Sequence, residues 1–441
     1  MSHSHAIPSS DKLLKKALKK HNAGDTGAAK TLYQRLIRKN PSHLDANYLL
    51  GTLYSELNDH NNALKYLTKA VELAPSSPFT QNNLGNVYLK TECLIEAADC
   101  YRKALLTDPK MMESNFNLGQ VLVKLGNFTE AATYFEKAIY FNPSFLPAHV
   151  ELAKLHKHSG KLEEATAGFR KALSLDPESV ALLHELANIL ASQDKQAEAI
   201  ECFERILELN PGNSSATHAL SALTGETTDA APKKHVEELF DNLAPTFEQH
   251  LNELDYRVPQ RLHTLLLETS GAGIRFTNAL DLGCGTGLSG QLFHVMTERL
   301  TGVDLSSSMV EVAKEKSIYD NLHTEDITEY LTRSSEKYDL IIATDVFVYL
   351  GNLKPLFEAV AHQCMENARF LFSIEQCEAE EYKLLSTGRY AHSASYIETL
   401  QNQCGFSLEA SRPVEIRKES SKSIMGRIYI LSLRPLDSAA I

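Results

Sequence analysis

The sequence predicts a two-part fold, an all-α solenoid of helical repeats followed by an α/β domain with a mainly parallel, doubly wound sheet. Three observations predict it. Prolines recur every 34 residues through the first half. In the second half, a glycine turn, 283-GCGTGLSG-290, stands between a short apolar run and a helical pattern. The charge is also divided: residues 1–234 carry 26 acidic and 26 basic side chains, whereas residues 235–441 carry 30 and 18. The whole net charge of −12 therefore sits in the second half.

The repeats come first. Pro41, Pro75, Pro109, Pro143, Pro177 and Pro211 keep an unbroken 34-residue step, each placed to end a helix. Twelve residues before each stand Ala29, Ala63, Ala97, Ala131, Ala165 and Ala199. Eight before stand Tyr33, Leu67, Tyr101, Phe135, Phe169 and Phe203. Twenty-four before stand Ala17, Gly51, Gly85, Gly119, Ala153 and Ala187, where two helices must approach closely. This order of small, aromatic and proline positions resembles the tetratricopeptide repeat (TPR). The resemblance implies six helix pairs, and SSATHALSALT (214–224) reads as a capping helix that shields the last of them. The solenoid is thus expected over residues 8–224. On its concave face the resemblance places Asn83, Asn86, Asn117 and Gln120, continued by Glu151, Lys154, Glu185 and Asn188. Amides in such a ladder can hold an extended peptide by its backbone. The alternative is a solvated polar face.

A polar stretch, GETTDAAPKK (225–234), reads as a linker to the α/β domain at 235–441. Strands are expected at 276–282, 300–305, 321–326, 338–345, 368–375, 407–418 and 426–435, with helices between the earlier ones. Such sheets bind ligands beyond the carboxyl ends of their strands.

GTGLSG (285–290) alone fits the G-x-G-x-x-G fingerprint of a dinucleotide-binding turn. Asp281, two residues before Gly283, argues against that reading, because a carboxylate there would repel a pyrophosphate and would suit a ligand bearing an ammonium and a sulfonium. The run Asp281-Leu-Gly283-Cys284-Gly285-Thr-Gly287 resembles motif I (Asp/Glu-x-Gly-x-Gly-x-Gly) of class I S-adenosylmethionine-dependent methyltransferases, a Rossmann-like fold. The resemblance covers about residues 235–435. It implies S-adenosylmethionine as cofactor and a methyltransferase (EC 2.1.1.-) with a TPR region for protein or peptide binding. Asp304, at the end of the second strand, can accept both ribose hydroxyls, with Leu305 beside it. The resemblance further implies that Asp326 meets the adenine amine, that Ile327 lies against the ring, that Cys284 makes a backbone contact, and that Thr344 closes the site after the fourth strand. Asp326 also reads as a helix N-cap. VEELFDNLAPTFEQHLNELDYRVP (236–259) resembles the helical cover of small-molecule methyltransferases, with Phe240, Phe247, Tyr256 and Arg257 placed to close over the cofactor. One departure is MENARF, where the family usually has a Pro-Gly-Gly-like turn before the fifth strand.

Exclusions narrow the chemistry. ATDVFVYL carries neither an Asn/Asp-Pro-Pro-aromatic motif nor a Pro-Cys pair, which argues against adenine or glutamine N-methylation and C5-cytosine chemistry. An oxygen, nitrogen or activated carbon nucleophile remains. His392, with Tyr390 nearby, is the candidate general base. Alternatively, this segment only shapes a turn, with Ser395 and Glu398 forming a capping box. The rival function is a scaffold or adaptor whose second domain only binds cofactor. A domain of net −12 is a poor platform for nucleic acid. The seven cysteines show no metal-ligand spacing and suit a reducing compartment, so no metal is expected. No run of about 18 apolar residues exists, so no membrane span is expected. The first residues lack a signal-peptide apolar segment, and a cytoplasmic protein is expected.

Overall fold

The computed structural model describes residues 9–378, 381–419 and 422–434. The expected limits at Pro8 and Pro435–Ile441 lie outside the described residues. The chain divides into two compact units, residues 1–195 and 196–441. No helix among the described residues is long and apolar enough to cross a membrane.

The first unit is a succession of helices of 13 or 14 residues, from Ser9–Asn22 and Thr26–Lys39 to Val180–Ser192. Each second helix of a pair ends two residues before its proline, as at Lys39, Leu73, Thr107, Phe141 and Leu175. Its alanine and aromatic or leucine positions, such as Ala97 with Tyr101 and Ala131 with Phe135, are fully buried. The small positions make room for them. A Cβ on Gly119 would stand 2.6 Å from the Phe135 ring, and one on Gly85 would stand 2.8 Å from the Tyr101 ring. A further repeat position escaped the sequence reading. Six residues after the proline, Asn47, Gln81, Asn115 and His149 donate to the carbonyls of Pro41, Pro75, Pro109 and Pro143 at 2.9–3.2 Å. These bonds satisfy proline carbonyls in the turns between repeats.

The second unit begins with helices Gln196–Leu209 and Ser214–Thr224, the latter capped by Asn213 and ended by Gly225 in the left-handed region. Helices Lys233–Leu243, Phe247–Glu253 and Val258–Ser270 lead to the sheet. Its strands are β1 (Ala279–Leu282), β2 (Leu300–Asp304), β3 (Asn321–Thr324), β4 (Tyr338–Ala343) and β5 (Cys364–Glu375). A hairpin of β6 (Tyr382–Leu384) and β7 (Tyr390–His392) follows, then β8 (Phe406–Glu419) and β9 (Lys422–Leu433). The seven-stranded order is β3-β2-β1-β4-β5-β9-β8, parallel through β5 and antiparallel beyond it. The order reverses between β1 and β4, and that is where a crevice forms.

Central strands are buried on both faces, as parallel sheets require. In β4, Leu340 and Ile342 join Leu262, Phe293 and Leu371 on one side. Ile341 and Ala343 join Phe347, Phe357, Phe370 and Phe372 on the other. MENARF, flagged as a departure, simply extends β5 back to Cys364.

Gly119→Leu is expected to destabilise the first unit by about 1–3 kcal/mol, because the helix pair has no space for the added carbons. A thermal melt checks this, and an unchanged midpoint would contradict the packing argument.

Candidate functional site

One cavity lies over the carboxyl ends of the parallel strands. Its floor is the glycine turn after β1. Gly283, Gly285 and Gly287 all have positive φ (65°, 53° and 90°), a region that glycine enters without strain. A Cβ on Gly283 would stand 2.5 Å from Val346, so the turn is closed to side chains. Asp304 fixes the turn from β2: its Oδ2 accepts from the Gly285 N–H at 2.8 Å and its Oδ1 from the Ser306 N–H at 2.9 Å. Burial raises its pKa.

The expected cofactor residues divide. Gly283, Cys284, Gly285, Asp304, Leu305, Asp326, Ile327 and Thr344 all line the cavity. Asp281 and Gly287 do not. Asp281 is fully buried and accepts from the Tyr319 hydroxyl at 2.7 Å. Burial pushes its carboxyl up to about 7 against that hydrogen bond, and the Asp304 charge adds to the rise. Asp326 is the helix N-cap read from the sequence, accepting from Thr328 and Glu329 at the start of helix Ile327–Arg333, and it also faces the cavity. Lys233 stands 3.2 Å from it. Cys284 is buried, which raises its thiol pKa well above the usual value.

The roof is made by helices Lys233–Leu243 and Phe247–Glu253. None of their residues is buried, because the apolar side that would otherwise seek a core faces the cavity. Phe240 meets Phe247 and Tyr349 edge-on, with centroids 6.0 and 5.3 Å away. Two carboxylates tie this roof to the floor. Glu248 accepts from Thr286 at 2.8 Å and pairs with Lys316 at 2.5 Å. Asp241 accepts from the Ser306 hydroxyl and the Ser308 N–H at 2.5 and 3.1 Å. Phe240, Phe247 and Tyr256 line the cavity as expected, whereas Arg257 pairs with exposed Asp255 outside it.

Beyond β4 and β5 the wall changes character. Arg389 donates to Asp345 at 2.9 Å and to Glu375 at 2.8 Å, and lies over the Tyr349 ring at 5.5 Å. Arg417, from β8, reaches Glu375 at 2.6 Å. Arg389, Arg417, Asp345, Tyr349 and Tyr256 all face the cavity. Sequence reasoning missed the charged members, because Asp345, Glu375, Arg389 and Arg417 come from four separate segments with no shared spacing. The available signal was the Asp and Glu at the ends of the fourth and fifth strands.

The structure does not bring the expected catalytic pair into the cavity. His392 is fully buried, with Nε2 donating to the Gly351 carbonyl at 3.1 Å and its ring stacked 6.2 Å from Tyr396. Burial pulls its pKa down to about 4. Tyr390 is also fully buried, hydrogen-bonded to Thr228 at 2.5 Å. The residue between the turn and Tyr390 is the one that faces the cavity, since alternate strand positions point to opposite sides. The helix that follows is capped by Ser393, two residues before the expected Ser395.

In the first unit the amide ladder is largely engaged with itself. Asn83 donates to Tyr48 and Thr52 at 2.9 and 3.2 Å. Asn86 accepts from Tyr101 and Asn117 at 2.7 and 2.9 Å. These bonds knit neighbouring repeats, and Asn83, Asn86 and Asn117 also line a shallow pocket with Leu67, Leu89, Glu56 and Lys90. Gln120 lies on the same helix as Asn117, half-buried.

The raised pKa of Asp281 has a stability consequence. An ordinary carboxyl ionises near pH 4, so between about pH 4 and 7 the folded chain keeps a proton that the unfolded chain has released. The stabilisation of the neutral carboxyl is therefore full at low pH and lost as pH rises through 7. Asp281→Asn keeps a neutral acceptor for Tyr319, so its advantage in unfolding midpoint over wild type should grow from pH 5 to pH 8. Melts at both values check the sign, and an advantage that shrinks with pH would contradict it.

Comparison with known proteins agrees with this geometry. Residues 279–366 match the model of a methyltransferase domain. Residues 14–78, 82–144 and 158–223 match tetratricopeptide repeats. The malonyl-[acyl-carrier protein] O-methyltransferase of Bacillus cereus is 29% identical over 147 residues, 32% of this chain and 52% of that protein. The ubiquinone biosynthesis O-methyltransferase of Coxiella burnetii is 27% identical over 100 residues, 22% of this chain and 42% of that protein. The chain thus spans about half the length of these curated relatives. Among solved structures, the TPR protein YrrB is 26% identical, with a TM-score of 0.39, over 42% of this chain and 96% of that one. The chain is a tetratricopeptide-repeat protein that also carries a methyltransferase domain.

Proposed function

We propose that the cavity binds S-adenosylmethionine and transfers its methyl group to an oxygen nucleophile of an acceptor held at the β4–β5 end. The observation that carries this reading is the Asp304 carboxylate clamped across the glycine turn, with Asp326 further along the same wall. A pyrophosphate would meet Asp304 and Asp326 on the cavity wall, with like charge opposing it at both. A cationic nucleoside fits the same set. Asp304 would hold the ribose hydroxyls, Asp326 and Ile327 the adenine, and the bare backbone of Gly283–Gly285 would let the ligand approach closely.

When bound, the cofactor supplies an electrophilic methyl on a sulfonium. The chain's contribution is alignment and exclusion of water. The roof helices shut the cavity with Phe240, Phe247 and Leu251, while Tyr256, Tyr349 and Arg389 face the acceptor end. Orientation of two reactants supplies a large share of such a barrier. The names of the curated relatives favour oxygen over nitrogen or carbon as the nucleophile. Tetratricopeptide repeats support protein or peptide partners, and the pocket around Asn83, Asn86 and Asn117 is the surface we assign to them.

The test is tritium transfer from S-adenosylmethionine into extracts of cells lacking the protein, with protein and small-molecule fractions counted separately. Wild type should label one fraction. Asp304→Ala should lose roughly 1–3 kcal/mol of S-adenosylhomocysteine affinity, because it leaves ligand hydroxyls and two backbone N–H groups without acceptors. Wild-type affinity in Asp304→Ala by calorimetry, or no label in either fraction, would contradict the reading.

A further inference from the structure

The stretch from the helix Ser214–Thr224 to the roof reads in sequence as a cap and a linker. In the structure it is stitched to the segments that carry the acceptor wall. His218 is buried, and its Nε2 donates to the Gly388 carbonyl at 2.8 Å. Its ring packs against His235 and Tyr390, with centroids 5.3 and 6.1 Å away. Thr228 holds the Tyr390 hydroxyl at 2.5 Å. Asp229 accepts from the Gly351 and Asn352 N–H groups at 2.8 Å through its carbonyl, and from the Tyr382 hydroxyl at 2.7 Å through its carboxylate. The Ala231 N–H donates to the Tyr349 carbonyl at 2.9 Å.

These contacts converge on the backbone beside two cavity residues, Tyr349 and Arg389. Gly388 is the left-handed residue of the β6–β7 turn, with φ 77°, where the chain has most freedom. Its carbonyl belongs to the peptide plane that carries the Arg389 N–H. A donor on that carbonyl therefore sets the direction in which Arg389 leaves the turn. Burial depresses the His218 pKa, so the imidazole is neutral and one nitrogen carries the proton that makes this bond.

We infer that His218 is a positioning residue for the acceptor wall, acting through the Gly388 carbonyl on Arg389, an inference that rests on the methyltransferase reading above. The helix after the last repeat is then part of the methyltransferase machinery. Its hydrogen bond fixes where the Arg389 guanidinium stands between Asp345 and Glu375, and so the shape the acceptor meets.

The experiment uses the full chain, with S-adenosylhomocysteine as binding probe and tritium transfer into a dilution series of cell extract as the rate. His218→Ala should bind S-adenosylhomocysteine within about twofold of wild type, while transfer per folded molecule at dilute extract falls by about tenfold or more, the scale expected of a misplaced reactant. His218→Gln retains an N–H donor and should recover most of the loss. His218→Leu fills the space without a donor and should behave as His218→Ala, which keeps the test decisive if the alanine variant does not fold. Unchanged transfer in His218→Ala or His218→Leu, or a glutamine variant no better than leucine, would overturn the inference while leaving the methyltransferase reading intact. Wild type that neither binds S-adenosylhomocysteine nor transfers label would overturn both.

Discussion

The Asp304 carboxylate, at the end of the second strand, closes the glycine turn at the end of the first. Its two oxygens take one N–H from the turn and one from the start of the next helix, so adjacent parallel strands end in a single cradle. The cradle needs glycine at its corners, because the backbone there is left-handed and Val346 occupies the space a side chain would take. The roof depends on it too. Asp241 and Glu248 anchor on Ser306, Ser308 and Thr286, residues held in place by the same two strand ends. Without the clamp, neither floor nor cover has a fixed partner.

Charge follows from this arrangement. Asp281 lies fully buried behind the turn, and its neutral form is favoured because burial penalises the charge and the Asp304 carboxylate adds to that penalty. The opposite wall balances two arginines against Asp345 and Glu375, so positive charge is present but matched. The cavity therefore has an acidic end suited to a cation and a neutralised polar end suited to orienting an acceptor. That division tracks the sheet order, with β1, β2 and β3 supplying the first end and β4, β5 and β8 the second.

Local patterns were legible in the sequence where one segment does one job. The 34-residue step located the helices because each proline follows a helix end, and Gly51, Gly85 and Gly119 make room for buried Leu67, Tyr101 and Phe135. The glycine turn and Asp304 were legible because a strand end followed by a turn fixes what those residues face. Residues acting across distant segments were not. Nothing in the spacing of Asp345, Glu375, Arg389 and Arg417 brings them together; the sheet does. His392 read as a base because its neighbours are polar, yet it faces inward to the Gly351 carbonyl while Arg389, three residues earlier, faces the cavity. Asn83, Asn86 and Asn117 read as a peptide ladder, but hydrogen-bonding capacity alone does not reveal that Tyr48 and Tyr101 already use part of it. The polar stretch at 225–234 read as a linker for a similar reason. Its threonines and aspartate are polar because they bind backbone and tyrosine hydroxyls of the domain.

The central claim is that Asp304 and Asp326, beside the glycine turn, select a sulfonium nucleoside over a dinucleotide. Calorimetric titration of the full chain with S-adenosylmethionine and, separately, with NAD tests it most directly. Saturable binding of S-adenosylmethionine and none of NAD is the expected result. Binding of NAD without S-adenosylmethionine would show that the acidic residues do not govern the site, and would contradict it.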